Sequence, residues 1–403
     1  MLSKTEPFLA ELSKAIPSRP FAVELWDGSE LPSSNGGGPT FQVRSADAFA
    51  HALRAPGQLG LGRAYVSGAL EVDDLDDALE LLDSWQPPPL DRSAQARLAL
   101  AAARASGIRR PPPVPRAELR SRGRRHSPER DARSVRHHYD VSNEFFKLFL
   151  GESLTYSCAL FSRGATTLEE AQEAKLELVC TKLALEPGQR VLDVGCGWGS
   201  FALHAAANHD VTVVGITLSE PQARLARERV VERGLSDRVE IRVADYRELA
   251  DEPFDAVASI GMVEHVGSAQ IDVYARQVAR LVKPGGRVLN HGIARLRVGD
   301  PEAGPFSERY VFPDAAPLHL SRIQTALERA GLETEHVEGL RSDYAETLRH
   351  WARNLDDNID EATRLAGPER IRVWRLYLRA ARRGFESGFT SVYQVRCSRP
   401  VSR

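Results

Sequence analysis

The sequence lacks several features that would place it in a specialised class of proteins. Its 403 residues contain no apolar run of about 18 or more, so we do not expect a membrane-spanning helix. The N-terminal stretch carries charges among its apolar residues and has no small-residue cleavage pattern, which argues against a secretory signal. The four cysteines lie far apart, without the paired spacing of a metal site: Cys158, Cys180, Cys196 and Cys397. We therefore expect reduced thiols in a cytoplasmic protein, and no bound metal.

An excess of one charge is also missing. The 53 Lys and Arg residues nearly balance the 55 Asp and Glu residues, which argues against a nucleic-acid partner. The charges are unevenly distributed, because residues 109–138 hold ten arginines and three acids whereas Glu71–Asp83 is strongly acidic. A hydrophobic fraction of 42% is ordinary for a soluble globular protein, and the length favours two domains.

Residues 1–106 have the pattern of a small α+β accessory domain. Its predicted elements are short strands within 21–26 and 39–44, helices over Ala46–Arg54 and Ser93–Ser106, and an acidic amphipathic helix ending at Asp83. The stretch 107–136 is rich in proline and arginine, which is typical of a linker or a surface arm. Residues 137–403 then form a second, larger domain.

In that larger domain, short apolar runs alternate with helical patterns. Strands alternating with helices predict an α/β fold, with a parallel sheet and right-handed crossovers. The predicted strands are Arg190–Val194, Val211–Ile216, Val239–Val243, Asp255–Ile260, Arg287–His291, Glu333–Glu338 and Ser391–Cys397.

A glycine-rich turn follows the first of these strands. Within Val191–Ser200 (VLDVGCGWGS), a buried strand leads into Asp193 and then into Gly195 and Gly197. Glycines at such a turn let the backbone approach a ligand closely. The third glycine of a dinucleotide-binding motif is missing at its usual spacing, and Asp193 is placed to meet an ammonium group. For this segment alone, an ordinary strand-to-helix turn is the alternative.

Two further loops extend the pattern. The next strand ends in a segment that contains Thr217 and Leu218, and Gln222 follows in the helix. Dinucleotide enzymes usually place a ribose-binding acid here, whereas this sequence offers hydroxyl and amide groups. The third strand leads to Asp245 and Tyr246, which suit the amino group and the ring face of an adenine. Together the loops predict S-adenosylmethionine as the cofactor.

Five segments in combination are more specific than any single loop. They are His137–Asp140 (HHYD) with Asn143–Phe146 (NEFF), Leu154–Phe161 (LTYSCALF), Val191–Ser200 (VLDVGCGWGS), Gly215–Gln222 (GITLSEPQ) and Gly261–Gly267 (GMVEHVG). Over roughly residues 130–397, the chain resembles the cyclopropane-fatty-acyl-phospholipid synthase family, with its mycolic-acid and methyl-branching relatives. Around Gly62–Asp77 it more loosely resembles the accessory domain of the longer bacterial members.

The resemblance implies a Rossmann-like class I methyltransferase fold with a seven-stranded, mostly parallel sheet. It also implies a set of residues that contact the methyl donor: Tyr156, Ser157, Gly195, Gly197, Thr217, Gln222 and Tyr246. The reasoning from the loops adds Asp193, Leu218 and Asp245 to the cofactor-binding candidates. The resemblance further implies a bicarbonate ion beside the sulfonium, held by Cys158, Glu264, His291, the backbone of Ile293 and Tyr344. Taken singly, each of these residues has an ordinary structural alternative.

The implied reaction adds a methyl group to the cis double bond of an unsaturated phospholipid acyl chain. Attack of the alkene on the sulfonium methyl leaves a carbocation, which aromatic faces can stabilise; the candidates are Phe145, Phe146, Tyr156 and Phe161. A base then removes a proton to give a cyclopropane or a methylene product. Bicarbonate is the base implied by the resemblance, and Glu144 is an alternative carboxylate. Phe306–His319 stands where the mycolic-acid enzymes have a longer lid.

A water-insoluble substrate requires contact with a membrane. The arginine-rich 109–136 stretch and the amphipathic Arg370–Arg383, with Trp374 and Tyr377, are candidates for peripheral binding at the inner membrane face. A solvated linker or helix face is the alternative for both. The sequence does not decide whether the protein forms a homo-oligomer. It also leaves open whether a reductase partner acts on a methylene product. The competing functions are a methyltransferase for a soluble small molecule and a silent lipid-binding protein.

Overall fold

The computed structural model describes residues 4–107, 110–119, 130, 142–301 and 304–401. These residues form two compact units. The first contains the described residues of 1–119, 309–311 and 367–383, and the second contains those of 120–308, 312–366 and 384–403. The prediction of an accessory domain over 1–106 did not anticipate the two later segments. Most of the predicted linker 107–136, and the motif His137–Asp140, lie outside the described residues.

The elements are numbered in chain order. The strands are β1 (Ala22–Leu25), β2 (Glu30–Leu31), β3 (Thr40–Val43), β4 (Leu70–Val72), β5 (Arg190–Val194), β6 (Thr212–Thr217), β7 (Val239–Val243), β8 (Phe254–Ile260), β9 (Val282–Arg295), β10 (Glu333–Gly339) and β11 (Thr390–Ser398). The helices are α1 (Glu6–Ala15), α2 (Asp47–Arg54), α3 (Gln58–Val66), α4 (Leu75–Ser84), α5 (Arg92–Ser106), α6 (Asn143–Leu150), α7 (Leu168–Leu183), α8 (Ser200–Asn208), α9 (Glu220–Glu232), α10 (Ile271–Leu281), α11 (Pro305–Tyr310), α12 (Leu320–Arg329), α13 (Arg341–Asp357), α14 (Ile359–Ala366) and α15 (Pro368–Glu386). Short 3-10 turns occupy Tyr246–Glu248 and Val263–His265.

The second unit is built on a seven-stranded sheet in the order β10-β11-β9-β8-β5-β6-β7. Strands β5 to β9 run parallel, and β11 pairs antiparallel with both β9 and β10. The predicted seven-stranded, mostly parallel sheet is therefore confirmed. Strand β9 is much longer than the predicted Arg287–His291, because its two ends pair with β11 and β8. The segment Pro284–Gly286, near the beginning of β9, has the composition of a turn, so the sequence did not indicate that the strand begins at Val282.

Side chains of β5 alternate between two apolar cores. Val191 packs in one core with α7, α8 and α9, whereas Leu192 and Val194 pack in the other with α10 and α12. The alternation follows from the period of two in a strand, and helices cover both faces of the sheet. Two covered faces leave the carboxyl ends of the parallel strands as the place where polar side chains can collect.

The first unit has its own four-stranded sheet, in the order β2-β1-β3-β4. Its acidic and basic segments pair with each other. The side chain of Asp76 on α4 accepts hydrogen bonds from Arg379 and Arg382 on α15, at 3.0 and 2.8 Å. Arg383 of α15 donates to Asp83 at 2.9 Å, and Arg372 pairs with Glu71.

These ion pairs bear on the amphipathic segment Arg370–Arg383. Several of its arginines face carboxylates of the same unit, so they are not free to meet anionic headgroups. Trp374, which was named as part of this candidate for peripheral binding, is only 2% exposed and so presents no aromatic ring to a membrane. Among the described helices, none is both long and apolar enough to cross a membrane.

Helix α7 begins with a capping box that offers a stability test. The Thr167 side chain accepts a hydrogen bond from the backbone N–H of Glu170, and the Glu170 carboxylate accepts one from that of Thr167. We expect Thr167→Ala to lower the free energy of unfolding by about 1 kcal/mol, because the cap is lost. Urea unfolding followed by circular dichroism measures the change. Thr167→Ser retains the hydroxyl and should lose far less; equal losses in both variants would contradict the capping role.

Candidate functional site

Two cavities lie at the carboxyl ends of the parallel strands in the second unit. The first is lined by Val194, Gly195, Gly197, Ile216, Thr217, Leu218, Gln222, Ala244, Asp245, Tyr246, Arg247, Gly261, Met262, His265, Val266, Gln270, Phe312, Pro313 and Asp314. The second is lined by Leu154, Tyr156, Ser157, Lys175, Asp193, Gly195, Cys196, Gly197, Trp198, Ser200, Phe201, Gln222, Ile260 and Gly261. Because Gly195, Gly197, Gln222 and Gly261 line both, the cavities adjoin one another.

The glycine turn after β5 forms their shared wall. Gly195 and Gly197 have φ angles of +81° and +55°, in the left-handed region that favours glycine. A Cβ at Gly195 would also lie 3.1 Å from the Cγ of Met262. Helix α8 begins directly after this turn, so its N-terminus lies beside the cavities.

Two buried charges lie in the second cavity. Asp193 is 1% exposed, and its Oδ2 has no hydrogen-bond partner among the described residues. Burial raises the pKa of this carboxyl to about 7, although the nearby Lys175 opposes the rise. Burial also lowers the pKa of Lys175 to about 8, and its ammonium donates to the Ser157 hydroxyl at 2.8 Å.

Sequence reasoning did not find Lys175. It lies in the middle of α7 among other charged residues, where a lysine is usually solvated. No local pattern distinguishes it from Lys182 or from the glutamates around it. The packing of α7 against the sheet alone makes Lys175 a buried cation.

The loop after β6 is held by its own polar groups. The Thr217 hydroxyl donates to the Gln222 side chain at 2.9 Å and accepts from the backbone N–H of Ser219 at 3.1 Å. Thr217, Leu218 and Gln222 all line the first cavity, as expected for one ligand-contacting loop.

Asp245 and Tyr246 lie across the first cavity, after β7. The Asp245 carboxylate accepts from the Arg247 guanidinium and from the backbone N–H of Arg247 at 2.9 Å. The Tyr246 ring packs edge-on against Tyr274, with centroids 5.7 Å apart. Both side chains are therefore fixed before any ligand binds.

Tyr156 belongs to an aromatic group beside the second cavity. Its ring lies 5.3 Å from Trp351, 5.8 Å from Phe146 and 6.5 Å from Phe312, which it faces at 23°. Phe312 comes from the Phe306–His319 segment, whose Phe312–Asp314 part lines the first cavity. Met262 and His265 belong to the quoted motif Gly261–Gly267, but neither was assigned a role of its own. Phe312 was not assigned one either, because a cavity-lining aromatic residue looks like a core residue in a sequence.

The other three aromatic candidates pack among further rings. Phe145 and Phe146 are fully buried and pack against Phe149, while Phe161 stacks on His350 at 4.9 Å. Of the described residues that line the two cavities, none is Phe145, Phe146 or Phe161. The alternative carboxylate, Glu144, is likewise not a lining residue, and its pKa is lowered chiefly by a backbone hydrogen bond at the start of α6.

Glu264 lies behind the cavities in the turn after β8. Burial raises its pKa to about 7, although the backbone N–H groups of Glu264 itself and of Ile293 act to lower it. The second oxygen, Oε2, finds no hydrogen-bond partner within the described part of the chain. A Cβ at Gly292 would lie 3.2 Å from this oxygen, so glycine leaves room for Glu264 between the turn and β9.

His291 is held by a chain of polar contacts. Lys182 donates to Glu338 and to the Gln394 side-chain oxygen, the latter at 2.6 Å. The Gln394 amide therefore turns its NH₂ toward His291 Nδ1, 3.0 Å away. The neutral imidazole then carries its proton on Nε2, which has no partner among the described atoms. Burial and the two cations Lys175 and Lys182 hold the pKa of His291 well below its usual value.

Cys158 and Tyr344 connect to the same region through Leu340. The carbonyl of Leu340 lies 3.6 Å from the Cys158 Sγ and accepts from the backbone N–H of Tyr344 at 3.1 Å. The N–H of Leu340 donates to Val392, which pairs with Ile293 across β11 and β9. Burial raises the pKa of the Cys158 thiol well above its usual value.

The predicted cofactor-binding residues and the predicted catalytic residues thus differ in whether they line the cavities. All ten cofactor-binding candidates line one or both cavities. The described lining residues do not include the five catalytic candidates, Cys158, Glu264, His291, Ile293 and Tyr344. Glu264 nevertheless lies close to the cavity wall, because a Cβ at Gly261 would be 3.9 Å from its Oε1.

The raised pKa of Glu264 predicts a dependence of stability on pH. The ordinary pKa is 4.5 and the folded value about 7, so the folded state holds the proton more tightly in this interval. The stabilisation by the neutral carboxyl is therefore lost as pH rises through about 7. The wild type should lose this stabilisation as pH rises from about 5 to about 8, whereas Glu264→Gln has no such carboxyl to titrate. Over this interval the free energy of unfolding of Glu264→Gln should therefore rise by roughly 2 kcal/mol relative to that of the wild type. Denaturant unfolding at both pH values measures it.

Glu186→Gln is the matched control, since Glu186 is exposed. Its difference from the wild type should be the same at both pH values. A pH-independent effect of Glu264→Gln would contradict the buried, protonated state of Glu264.

Comparisons with known proteins agree with this geometry. The family model described as mycolic acid cyclopropane synthetase matches residues 126–395. A probable fatty acid methyltransferase of Pseudomonas putida is 38% identical, over 98% of this chain and 96% of its own. The cyclopropane-fatty-acyl-phospholipid synthase of Escherichia coli K12 is 34% identical, over 91% of this chain and 90% of its own.

A solved structure extends the likeness to the fold. Mycolic acid cyclopropane synthase CmaA1, complexed with SAH and CTAB, is 34% identical, with a TM-score of 0.63 over 66% of this chain and 97% of its own. The seven-stranded α/β sheet is thus that of the class I methyltransferases. The chain belongs to the mycolic acid cyclopropane synthetase family of S-adenosylmethionine-dependent lipid methyltransferases.

Proposed function

We propose that the chain methylates the cis double bond of unsaturated phospholipid acyl chains and gives a cyclopropane or a methylene product. The observation that carries the proposal is the pair of buried, incompletely hydrogen-bonded groups behind the donor cavities. Glu264 Oε2 and His291 Nε2 both lack partners among the described residues. Polar atoms buried in this way are costly unless they serve a ligand or a reaction.

The methyl donor would occupy the two adjoining cavities. Its adenosine part fits the first cavity, where Tyr246 offers a ring face and Asp245 a hydrogen-bond acceptor. The loop there adds the polar side chains of Thr217 and Gln222 and the apolar one of Leu218. Its methionine part fits the second cavity, where Asp193 and Lys175 carry charges complementary to an ammonium and a carboxylate. Ser157 and Tyr156 complete this end, beside the Gly195–Gly197 turn.

Methyl transfer to an alkene makes two demands on the protein. The double bond is a weak nucleophile, so it must be held in line with the sulfonium methyl and away from water. The resulting carbocation needs electron-rich neighbours, and the facing rings of Tyr156 and Phe312 supply two aromatic surfaces. Of the four aromatic candidates, Tyr156 is therefore the one we assign to this role.

The final step removes a proton. A bicarbonate ion, when bound, would supply the base at this position. Its chemistry fits the two groups, because the Nε2–H of His291 donates to an anion and Glu264 can accept or share a proton near its pKa of about 7. Ile293 would then act through its hydrogen bond to Glu264. Cys158 and Tyr344 stay assigned by resemblance alone, with Glu264 itself as the alternative base.

A vesicle assay tests the proposed reaction. Purified protein, isotope-labelled S-adenosylmethionine and dioleoyl phospholipid vesicles should yield fatty methyl esters that are one carbon heavier by mass spectrometry. Ring or vinylidene protons in the NMR spectrum distinguish the cyclopropane from the methylene, and the second result would direct a search for a reductase. Vesicles with saturated chains are the control and should give no product.

Two outcomes would contradict the proposal. One is the absence of carbon gain on oleoyl chains despite donor binding. The other is turnover of a soluble acceptor without vesicles, which would favour a small-molecule methyltransferase. Sedimentation of the protein with anionic vesicles tests the proposed peripheral association with the cytoplasmic membrane face. The size of the protein in solution tests whether it forms a homo-oligomer.

Glu264→Gln tests the proton-transfer step separately from donor binding. The amide cannot take a proton at this position, so turnover should fall by at least about 100-fold. The dissociation constant of the donor, measured by calorimetry, should stay within about twofold, because the donor cavities are unchanged. The control variant Glu186→Gln should retain the turnover and the donor affinity of the wild type. Retained turnover in Glu264→Gln would remove this residue from the reaction.

A further inference from the structure

A second group of ligand-type side chains lies between α7 and α8, and the proposed reaction does not use it. Cys180 on α7, His204 on α8 and His209 directly after α8 each offer one sulfur or nitrogen atom, all within 4.8 Å of one another. None of the three lines either donor cavity. Their positions in the sequence, 24 and 5 residues apart, gave no sign of a shared site.

A carboxylate joins the two imidazoles. Glu177 lies three residues before Cys180 on α7, so both side chains project from similar faces of the helix. Its Oε2 lies 3.1 Å from His204 Nε2 and 2.9 Å from His209 Nε2. One oxygen therefore contacts two imidazole nitrogens at distances close to those between neighbouring ligands of a small cation.

The burial of the group is graded. Cys180 is fully buried, His204 is 9% exposed, and the side chains of His209 and Glu177 are 20% and 49% exposed. The outer residues give an ion a path from solvent, while the inner thiol lies in the apolar core of Val179 and Leu203.

The donor set indicates which cation fits. Thiolate sulfur and imidazole nitrogen are ligands that zinc prefers, whereas magnesium and calcium prefer oxygen. One thiolate and the Glu177 carboxylate would balance the two positive charges of Zn²⁺ if both imidazoles are neutral. Binding of zinc by the thiolate would release the thiol proton of Cys180 to solvent.

A neighbouring amide can hold the imidazole. Asn208 Nδ2 lies 3.2 Å from His204 Nδ1. Rotation of this amide by half a turn would present its oxygen instead, and so accept a proton from Nδ1 while Nε2 binds a metal.

We infer that Cys180, His204 and His209 form a zinc-binding site, with Glu177 as the carboxylate that balances its charge. The ion would join α7, which carries Lys175, to α8, which begins at the glycine turn. It would thus tie together two helices that support the donor cavities, outside the cavities themselves.

The experiment uses the full chain with any affinity tag removed. Titration with ZnCl₂ against a chromophoric chelator, and metal analysis after gel filtration, should give one zinc ion per chain with a micromolar or lower dissociation constant. Co²⁺ should give the near-ultraviolet charge-transfer band of a metal–thiolate bond, which a histidine-only site would not show. Zinc at about 100 times its dissociation constant should raise the melting temperature by roughly 3 °C.

Variants assign the ligands. His209→Gln changes the more exposed of the two imidazoles and should abolish the binding of one zinc ion per chain. Retained binding of the methyl donor shows that this variant is correctly folded. Cys180→Ser should remove the cobalt–thiolate band, and Glu177→Gln should weaken zinc binding by about tenfold. His336→Gln, at an exposed position of β10, and Cys397→Ser are the matched controls and should bind as the wild type does.

Either of two results would overturn the inference. The first is the absence of stoichiometric zinc binding to the wild type. The second is binding that survives in His209→Gln. If Cys180→Ser fails to fold, His209→Gln still decides the outcome.

Discussion

Desolvation of ionisable side chains at the carboxyl edge of the sheet is the constraint on which the site depends. Asp193, Lys175, Glu264 and His291 are each at least nine-tenths buried. Burial raises the pKa of both carboxyls to about 7, lowers that of the lysine to about 8, and keeps the imidazole neutral. Of the two carboxyls, only that of Asp193 lines a cavity, so under the proposed function donor binding there would favour its ionised form.

The sheet accounts for why these groups can be buried together. Parallel strands end at one edge, and helices cover both faces, so loops from β5, β6, β7 and β8 meet over a small area. At two glycines near this edge, the surrounding atoms leave little room for a larger side chain. Gly195 is set against Met262, and Gly292 against Glu264, so a side chain at either position would displace the cavity wall or the buried carboxylate.

Charge plays another role in the first unit. There the acidic α4 and the basic α15 neutralise each other through Asp76 with Arg379 and Arg382, which lie 303 and 306 residues further along the chain. Partly exposed pairs of this kind contribute little each. They bring an acidic and a basic stretch of the sequence together within the first unit.

The sequence by itself determined the parallel sheet, its seven strands and the loops that line the two cavities, because strand periodicity and glycine turns are local properties. The motif residues Asp193, Thr217, Gln222, Asp245 and Tyr246 were found in this way, and Glu264 and His291 through family resemblance. Only the tertiary structure decided which ordinary residues join them. Lys175 and Gln394 lie in unremarkable segments and become part of the site through packing alone. The same holds for Cys180, His204 and His209, since proximity between two helices leaves no trace in linear spacing.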